Sequence, residues 1–204
     1  TKNDFFERTN TCSDKIINIL YTGRLDLQKG LVELMYAISD LSKLFTNIQL
    51  HIVGKEIDNK KTVEKLLKKL SFDLNINDFV TFHGYKTNGI ELNRMYRMSD
   101  IFITPSYNEG FPRTIWEAMA NSVPVITTNV GGISMILTHK KNAFFIKPKS
   151  TESIKRGISE LIRCSDLRLN LIRNAMILCK DYSCEILSHK LVSKIKKIKN
   201  INKK

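Results

Sequence analysis

Between Lys29 and Phe45 the apolar residues Leu31, Leu34, Met35, Ile38, Leu41 and Phe45 return every three or four positions, the spacing that gathers them on one face of an α-helix. The segment just before it differs in kind. KIINILYTG holds a short β-rich run, Ile16 to Thr22, that stops at Gly23. This alternation repeats: apolar runs at 48–54 (IQLHIVG), 79–85 (FVTFHGY), 101–105 (IFITP), 123–128 (VPVITT) and 143–148 (AFFIKP) are separated by helical patterns at 60–70, 91–98 and after Gly110. Two further helices are predicted at 151–164 and 167–180. Strands this short and continuously apolar, each flanked by helices, describe a parallel sheet covered on both faces. The expected fold is therefore α/β, a Rossmann-like, doubly wound domain over residues 16–182. Residues 1–15 are expected to be a linker or N-terminal extension, and 183–204 a basic amphipathic C-terminal helix or tail.

In that tail Leu187, Leu191, Ile195 and Ile198 recur at helical spacing, with lysines on the remaining faces. Such a pattern suits an anionic membrane surface, and it equally suits packing of the stripe against protein. The chain has a net charge of +13, which favours acidic partners. Seven lysines and no acid lie between Ile186 and Lys204, so the rest of the chain has 26 basic against 20 acidic residues. Most of the excess belongs to the tail, and the body is not read as a nucleic-acid surface. No run of about 18 apolar residues is present, and TKNDFFERTN has neither a basic nor an apolar leader region, so no membrane span or signal peptide is expected. Cys12, Cys164, Cys179 and Cys184 form no CxxC, and the four histidines are scattered. Reduced thiols and a cytoplasmic location are expected, with peripheral attachment to the inner face of the cell membrane if the tail binds lipid. The first residue is Thr1, which suggests a fragment of a longer protein.

Ligands of such sheets bind beyond the carboxyl ends of the strands. Four loops meet there: 23–30, 54–58, 84–89 and 105–113. No GxGxxG follows the first strand, and neither GxxxxGK[ST] nor GxSxG occurs, which removes the main support for dinucleotide oxidoreductase, P-loop and α/β-hydrolase chemistry. Arg24 stands just past the first strand, and Lys29 and Arg113 fall at predicted helix starts, where a cation opposes the macrodipole unless an anion sits between it and the free amides. A pyrophosphate held by Arg24, Lys29 and the amides of 110–114 would satisfy that condition. Glu109 precedes the Gly-Phe-Pro turn and Glu117 follows it on a helix. Alone, each is an ordinary loop or helix acid, but beside a phosphate site an acceptor-only carboxylate suits hydroxyl groups. A sugar nucleotide carries hydroxyls on both sides of its pyrophosphate.

The segments TGRLDLQKG, LHIVG, VTFHGY and ELNRMYRMSDIFITPSYNEGFPRTIWEAMANSVPVITTNVGG, with a weaker match at AFFIKP, resemble the C-terminal, donor-binding domain of the retaining glycosyltransferases of the GT-B fold. These are the glycosyl transferases group 1, also called family 4. The resemblance implies that Glu109 contacts the donor sugar and Glu117 the nucleotide ribose. It implies that Arg24 and Lys29 grip the diphosphate beside Gly23, that the backbone at Gly110 and Phe111 faces the sugar, and that Arg113 and Thr114 sit at the phosphates. Tyr85 and Lys86 fall in the base-reading loop. The catalytic set is then Glu109, Arg24 and Lys29. The partners implied are a nucleotide-diphosphate sugar and an N-terminal acceptor-binding domain outside these residues; no metal or other cofactor is expected. Three departures stand out: Lys55-Glu56 in place of an Asp-Gly-Pro-like turn, ANSVP in place of Ala-x-Gly-x-Pro, and KKNAFFI without its usual Gly. A nucleotide or nucleotide-sugar binding module without transferase activity remains the alternative. A receiver-like phosphoacceptor domain is disfavoured, because Gly23-Arg24 stands where an acidic cluster would be needed.

Overall fold

The computed structural model describes residues 5–8, 11–12, 15–57 and 61–201. Much of the 1–15 segment, the loop end at Asp58, the helix start at Lys60 and residues 202–204 lie outside the described residues. The strands are β1 (Ile17–Thr22), β2 (Ile48–Val53), β3 (Val80–Gly84), β4 (Ile101–Thr104), β5 (Val125–Thr128) and β6 (Phe144–Ile146). They form one parallel sheet in the order β3-β2-β1-β4-β5-β6, so the chain winds outward from β1 in one direction and then the other. The helices are α1 (Leu31–Ser42), α2 (Thr62–Asp73), α3 (Ile90–Met98), α4 (Arg113–Ala120), α5 (Thr151–Arg163), α6 (Ser165–Asp181) and α7 (Cys184–Ile201). This is the doubly wound architecture that the alternation of runs predicts.

Side-chain alternation along the strands divides the core in two. Ile17, Ile19 and Tyr21 of β1 pack in one cluster with Leu34 and Ile38 of α1, Leu67 of α2 and Ile158 of α5. Leu20 of β1 and Phe102 of β4 point the other way, into a cluster with Tyr96 of α3, Ile115 and Met119 of α4, and Cys179 of α6. Both faces of the sheet are thus covered, and each fully buried Leu, Ile or Phe stabilises the fold by about 1.5–3 kcal/mol. Toward the β3 edge polar side chains replace apolar ones. His51 meets His83 at 2.9 Å and the Asn18 side-chain oxygen at 3.0 Å, and burial pushes its pKa down to about 4.

One boundary differs from the sequence reading in a way that matters for the site. The helical pattern begins at Lys29, but α1 begins at Leu31, and Leu27–Lys29 forms a separate 3-10 turn. Asp26 caps that turn by accepting from Gln28 N, and Gly30 closes it at φ 68. A Cβ on Gly30 would lie 2.2 Å from the Pro105 carbonyl oxygen, so the turn is pressed against the loop that follows β4. At the opposite edge of the sheet, Asp100 accepts from the amides of Cys12 and Asn18, and buried Arg168 donates to Thr11 and to the Ile162 carbonyl. That edge is clasped by the chain itself, and the carboxyl edge is left open.

Candidate functional site

Past β1 the chain turns at Gly23, where the Tyr21 hydroxyl donates to the Arg24 carbonyl at 2.7 Å. Past β4 it enters the loop 105–112, which is held on both sides. Tyr107 N donates to Gln28 O at 2.8 Å, and Gly132 N donates to Gly110 O at 2.8 Å. Gly131, at φ 56, comes so close that a Cβ there would lie 1.6 Å from the Glu109 carbonyl oxygen. The Tyr107 hydroxyl adds a bond of 2.5 Å to Glu33 on α1, and its pKa is pushed up to about 12 by burial and by that carboxylate.

Within this frame Glu109 Oε1 accepts from Lys29 Nζ at 2.5 Å and from Ser106 Oγ at 2.7 Å. Glu117, one turn into α4, accepts from Arg113 Nε at 2.9 Å through one oxygen and from the Tyr96 hydroxyl at 2.9 Å through the other. Tyr96 has a single proton, so the Thr22 hydroxyl, 2.7 Å away, donates to it in turn. Burial, with the Glu117 charge behind it, raises the Tyr96 pKa and keeps the phenol protonated. Arg24 pairs with Asp26 at 3.0 Å.

These groups border one continuous cleft. A hollow of about 320 Å³ is lined by Gly23, Arg24, Lys55, Tyr85, Lys86, Arg113, Thr114 and Glu117, among others. A second, of about 470 Å³, is lined by Arg24, Gln28, Lys29, Asn108, Glu109 and Gly110. Arg24 borders both. Of the residues singled out in the sequence, only the Phe111 side chain lines neither hollow: its ring packs 5.1 Å from that of Trp116. The Lys55-Glu56 departure also has a structural explanation. Glu56 turns inward and accepts from Thr62 N and Glu64 N, capping α2, while the Lys55 ammonium lies 4.9 Å from the Tyr85 ring centre.

The cations of the cleft differ from the sequence expectation. Arg24, Lys29 and Arg113 are not unbalanced cations awaiting an anion, because Asp26, Glu109 and Glu117 pair with them. Lys29, moreover, sits at the C-terminal end of its 3-10 turn, where a cation suits the local dipole. What remains is a pair of hollows bordered by five cationic side chains, Arg24, Lys29, Lys55, Lys86 and Arg113, with Glu117 lining the first and Glu109 the second. Such a cleft can take an anion beside Arg24, which both hollows share, and hydroxyl-bearing groups at the two carboxylates. Sequence reasoning missed Ser106, Tyr96 and Gly131. Tyr96 reads as a core position of its helix, and its bond to Glu117 spans 21 residues. Gly131 does carry a signal: a Gly-Gly pair two residues beyond a predicted strand marks a close backbone approach.

Comparison with known proteins adds to this picture. The family model for glycosyl transferases group 1 matches residues 2–177. The chain is 29% identical over 170 residues to the uncharacterized glycosyltransferase MJ1607 of Methanocaldococcus jannaschii, a match covering 83% of this chain and 42% of that one. It spans less than half the length of that curated relative. Among solved structures it is similar to the C-terminal domain of the glycosyl transferase group 1 family protein LpcC from Francisella tularensis, with a TM-score of 0.77, 23% identity, and 88% and 96% of the two chains covered. It is also similar to Anabaena HepE in complex with UDP-glucose, with a TM-score of 0.79, 20% identity, and 89% and 49% covered. At these identities the structural likeness speaks for the fold.

Proposed function

The chain belongs to the glycosyl transferases group 1 family, and on that footing we propose that its cleft binds a nucleotide-diphosphate sugar as the donor for glycosyl transfer. The observation that carries this reading is the placement of Glu109 and Glu117 in two cationic hollows that share Arg24 as a common border. The base lies toward Tyr85 and Lys86, the ribose at Glu117, the diphosphate against Arg24, Lys29 and the start of α4, and the sugar at Glu109. HepE was solved with UDP-glucose, so a uridine nucleotide is the first ligand to try.

In transfer, the bond between the anomeric carbon and the diphosphate oxygen breaks, the carbon gains positive charge and the diphosphate leaves with the electron pair. Lys29 has three N–H donors, so it can keep Glu109 and still reach a phosphate. With Arg24 it stabilises the departing charge, and this pair does the work a divalent metal does elsewhere. Glu109 orients the sugar and stabilises charge at the anomeric carbon; it is not assigned as a nucleophile. The reading includes retention of anomeric configuration and an acceptor held by a part of the protein outside these residues, so that this chain alone transfers nothing.

Titration calorimetry with UDP, GDP and their glucose and mannose conjugates, with and without chelator, tests the proposal. The expected result is binding that survives chelation and raises the melting temperature. Loss of binding on chelation would contradict the role given to Arg24 and Lys29. A longer form of the protein that binds the donor and neither transfers nor hydrolyses it would establish a binding module in place of an enzyme.

A further inference from the structure

Glu117 borders a hollow that is also lined by Arg24, Lys55, Lys86 and Arg113. A carboxylate on a flexible side chain among such cations tends to collapse onto them with both oxygens. It would then lose the lone pairs that a ligand hydroxyl needs and take a cation away from the phosphates. Glu117 does this with one oxygen only. Oε1 accepts from Arg113, but Oε2 accepts from the Tyr96 hydroxyl at 2.9 Å. A neutral donor fixes the carboxylate without cancelling its charge.

That donor is itself fixed. Tyr96 is fully buried, its ring centre lies 5.8 Å from that of Phe102, and the Thr22 hydroxyl at the end of β1 donates to its oxygen at 2.7 Å. Thr22 supplies a proton to Tyr96, so the one phenolic proton goes to Glu117, and burial keeps that proton on the phenol. Arg113 is exposed and can turn to a phosphate; Tyr96 has nowhere else to go. Oε2 is thereby committed to the domain, and Oε1 is the atom open to a ligand. One ionised oxygen with two acceptor sites suits two neighbouring hydroxyls. We infer that Tyr96 is a positioning residue for donor binding: through its bond to Oε2 it keeps Glu117 from collapsing onto the cations of the hollow and presents Oε1 to the ribose diol. This rests on the donor reading above, in which Glu117 meets the ribose.

A purely structural tyrosine would affect all ligands alike, so the readout is a ratio. Affinities of the chain are measured for UDP, GDP, ADP and CDP, and then for the 2′,3′-dideoxy analogue of whichever binds best. Wild-type protein should prefer the ribonucleotide by about tenfold or more, as expected for hydrogen bonds to a charged group. In Tyr96→Phe the dideoxy analogue should bind as it does to the wild type, while the preference for ribose falls to about threefold or less. Thr22→Val/Tyr96→Phe should do the same. It removes both hydroxyls together and leaves neither buried without a partner, so it decides the question if the single variant misfolds. A ribose preference that survives in either folded variant overturns the inference and leaves the donor reading standing. So does equal weakening of the two ligands, which would make Tyr96 a structural residue only. A wild-type chain that binds none of the four nucleotides, or binds the dideoxy analogue equally well, overturns the donor reading at Glu117 and the inference with it.

Discussion

Glu109 accepts from the Ser106 hydroxyl and the Lys29 ammonium, and Glu117 accepts from the Tyr96 hydroxyl and the Arg113 guanidinium, so each of these two carboxylates is held by one hydroxyl and one cation. The two differ in how the cation is supplied. Arg113 stands one helical turn from Glu117 and its side chain is 71% exposed, whereas Lys29 comes from 80 residues away and is 18% exposed. An exposed pair at this spacing contributes about 0.3–0.5 kcal/mol, so Arg113 can leave Glu117 for a phosphate at little cost. Lys29 is enclosed between the 3-10 turn and the 105–112 loop and has no such freedom. The Glu117 carboxylate is held adjustably and the Glu109 carboxylate is preformed, and preformation suits the role proposed for Glu109, beside the carbon where charge would develop.

That contrast can be attacked from its strongest point downward. Gly131→Ala should do the most damage, because its Cβ would run into the Glu109 carbonyl and its φ of 56 is strained for alanine. A loss of about 2–4 kcal/mol in denaturant melts is expected. Gly110→Ala, whose Cβ meets nothing within 4 Å, should cost less than about 1 kcal/mol and serves as the control. Next comes Lys29→Met, which leaves Glu109 with Ser106 alone in a mostly enclosed setting and should cost about 1–3 kcal/mol. Adding Glu109→Gln to it should restore part of that loss, since an amide needs no counter-charge. Arg113→Met should shift stability by no more than about 0.5 kcal/mol. If Arg113→Met costs as much as Lys29→Met, the two ends are not held differently. Tyr96→Phe removes one hydroxyl from Glu117 and from Thr22 and should cost about 1 kcal/mol in the same melts.

The same contrast explains what the sequence could tell. The Arg113-Glu117 pair is a local spacing on one helix and can be read directly. The sheet is legible for the same reason: IQLHIVG, IFITP and VPVITT each announce a buried strand without reference to distant residues. The Lys29-Glu109 pair depends on β1 and β4 being neighbours, and no short-range pattern reports that. The sequence placed Lys29 in the first turn of a helix because the apolar period runs back to it; the Asp26 cap and Gly30 instead set off a separate turn. The cations drew attention as anomalies at helix starts, yet each has a carboxylate partner. They do line one cleft, because every loop in question leaves the same edge of the sheet.

The division of labour between the two glutamates is tested most directly by measuring the affinities of a bare nucleoside diphosphate and of its sugar conjugate for Glu109→Gln and Glu117→Gln. Glu117→Gln should weaken both ligands, by about 1–3 kcal/mol for a lost charged hydrogen bond. Glu109→Gln should leave the bare diphosphate unchanged or slightly tighter, because Lys29 then faces no competing carboxylate, and should weaken only the sugar conjugate. If Glu109→Gln weakens the bare diphosphate as much as Glu117→Gln does, with both proteins folded, Glu109 does not serve the sugar and the account of the cleft is wrong.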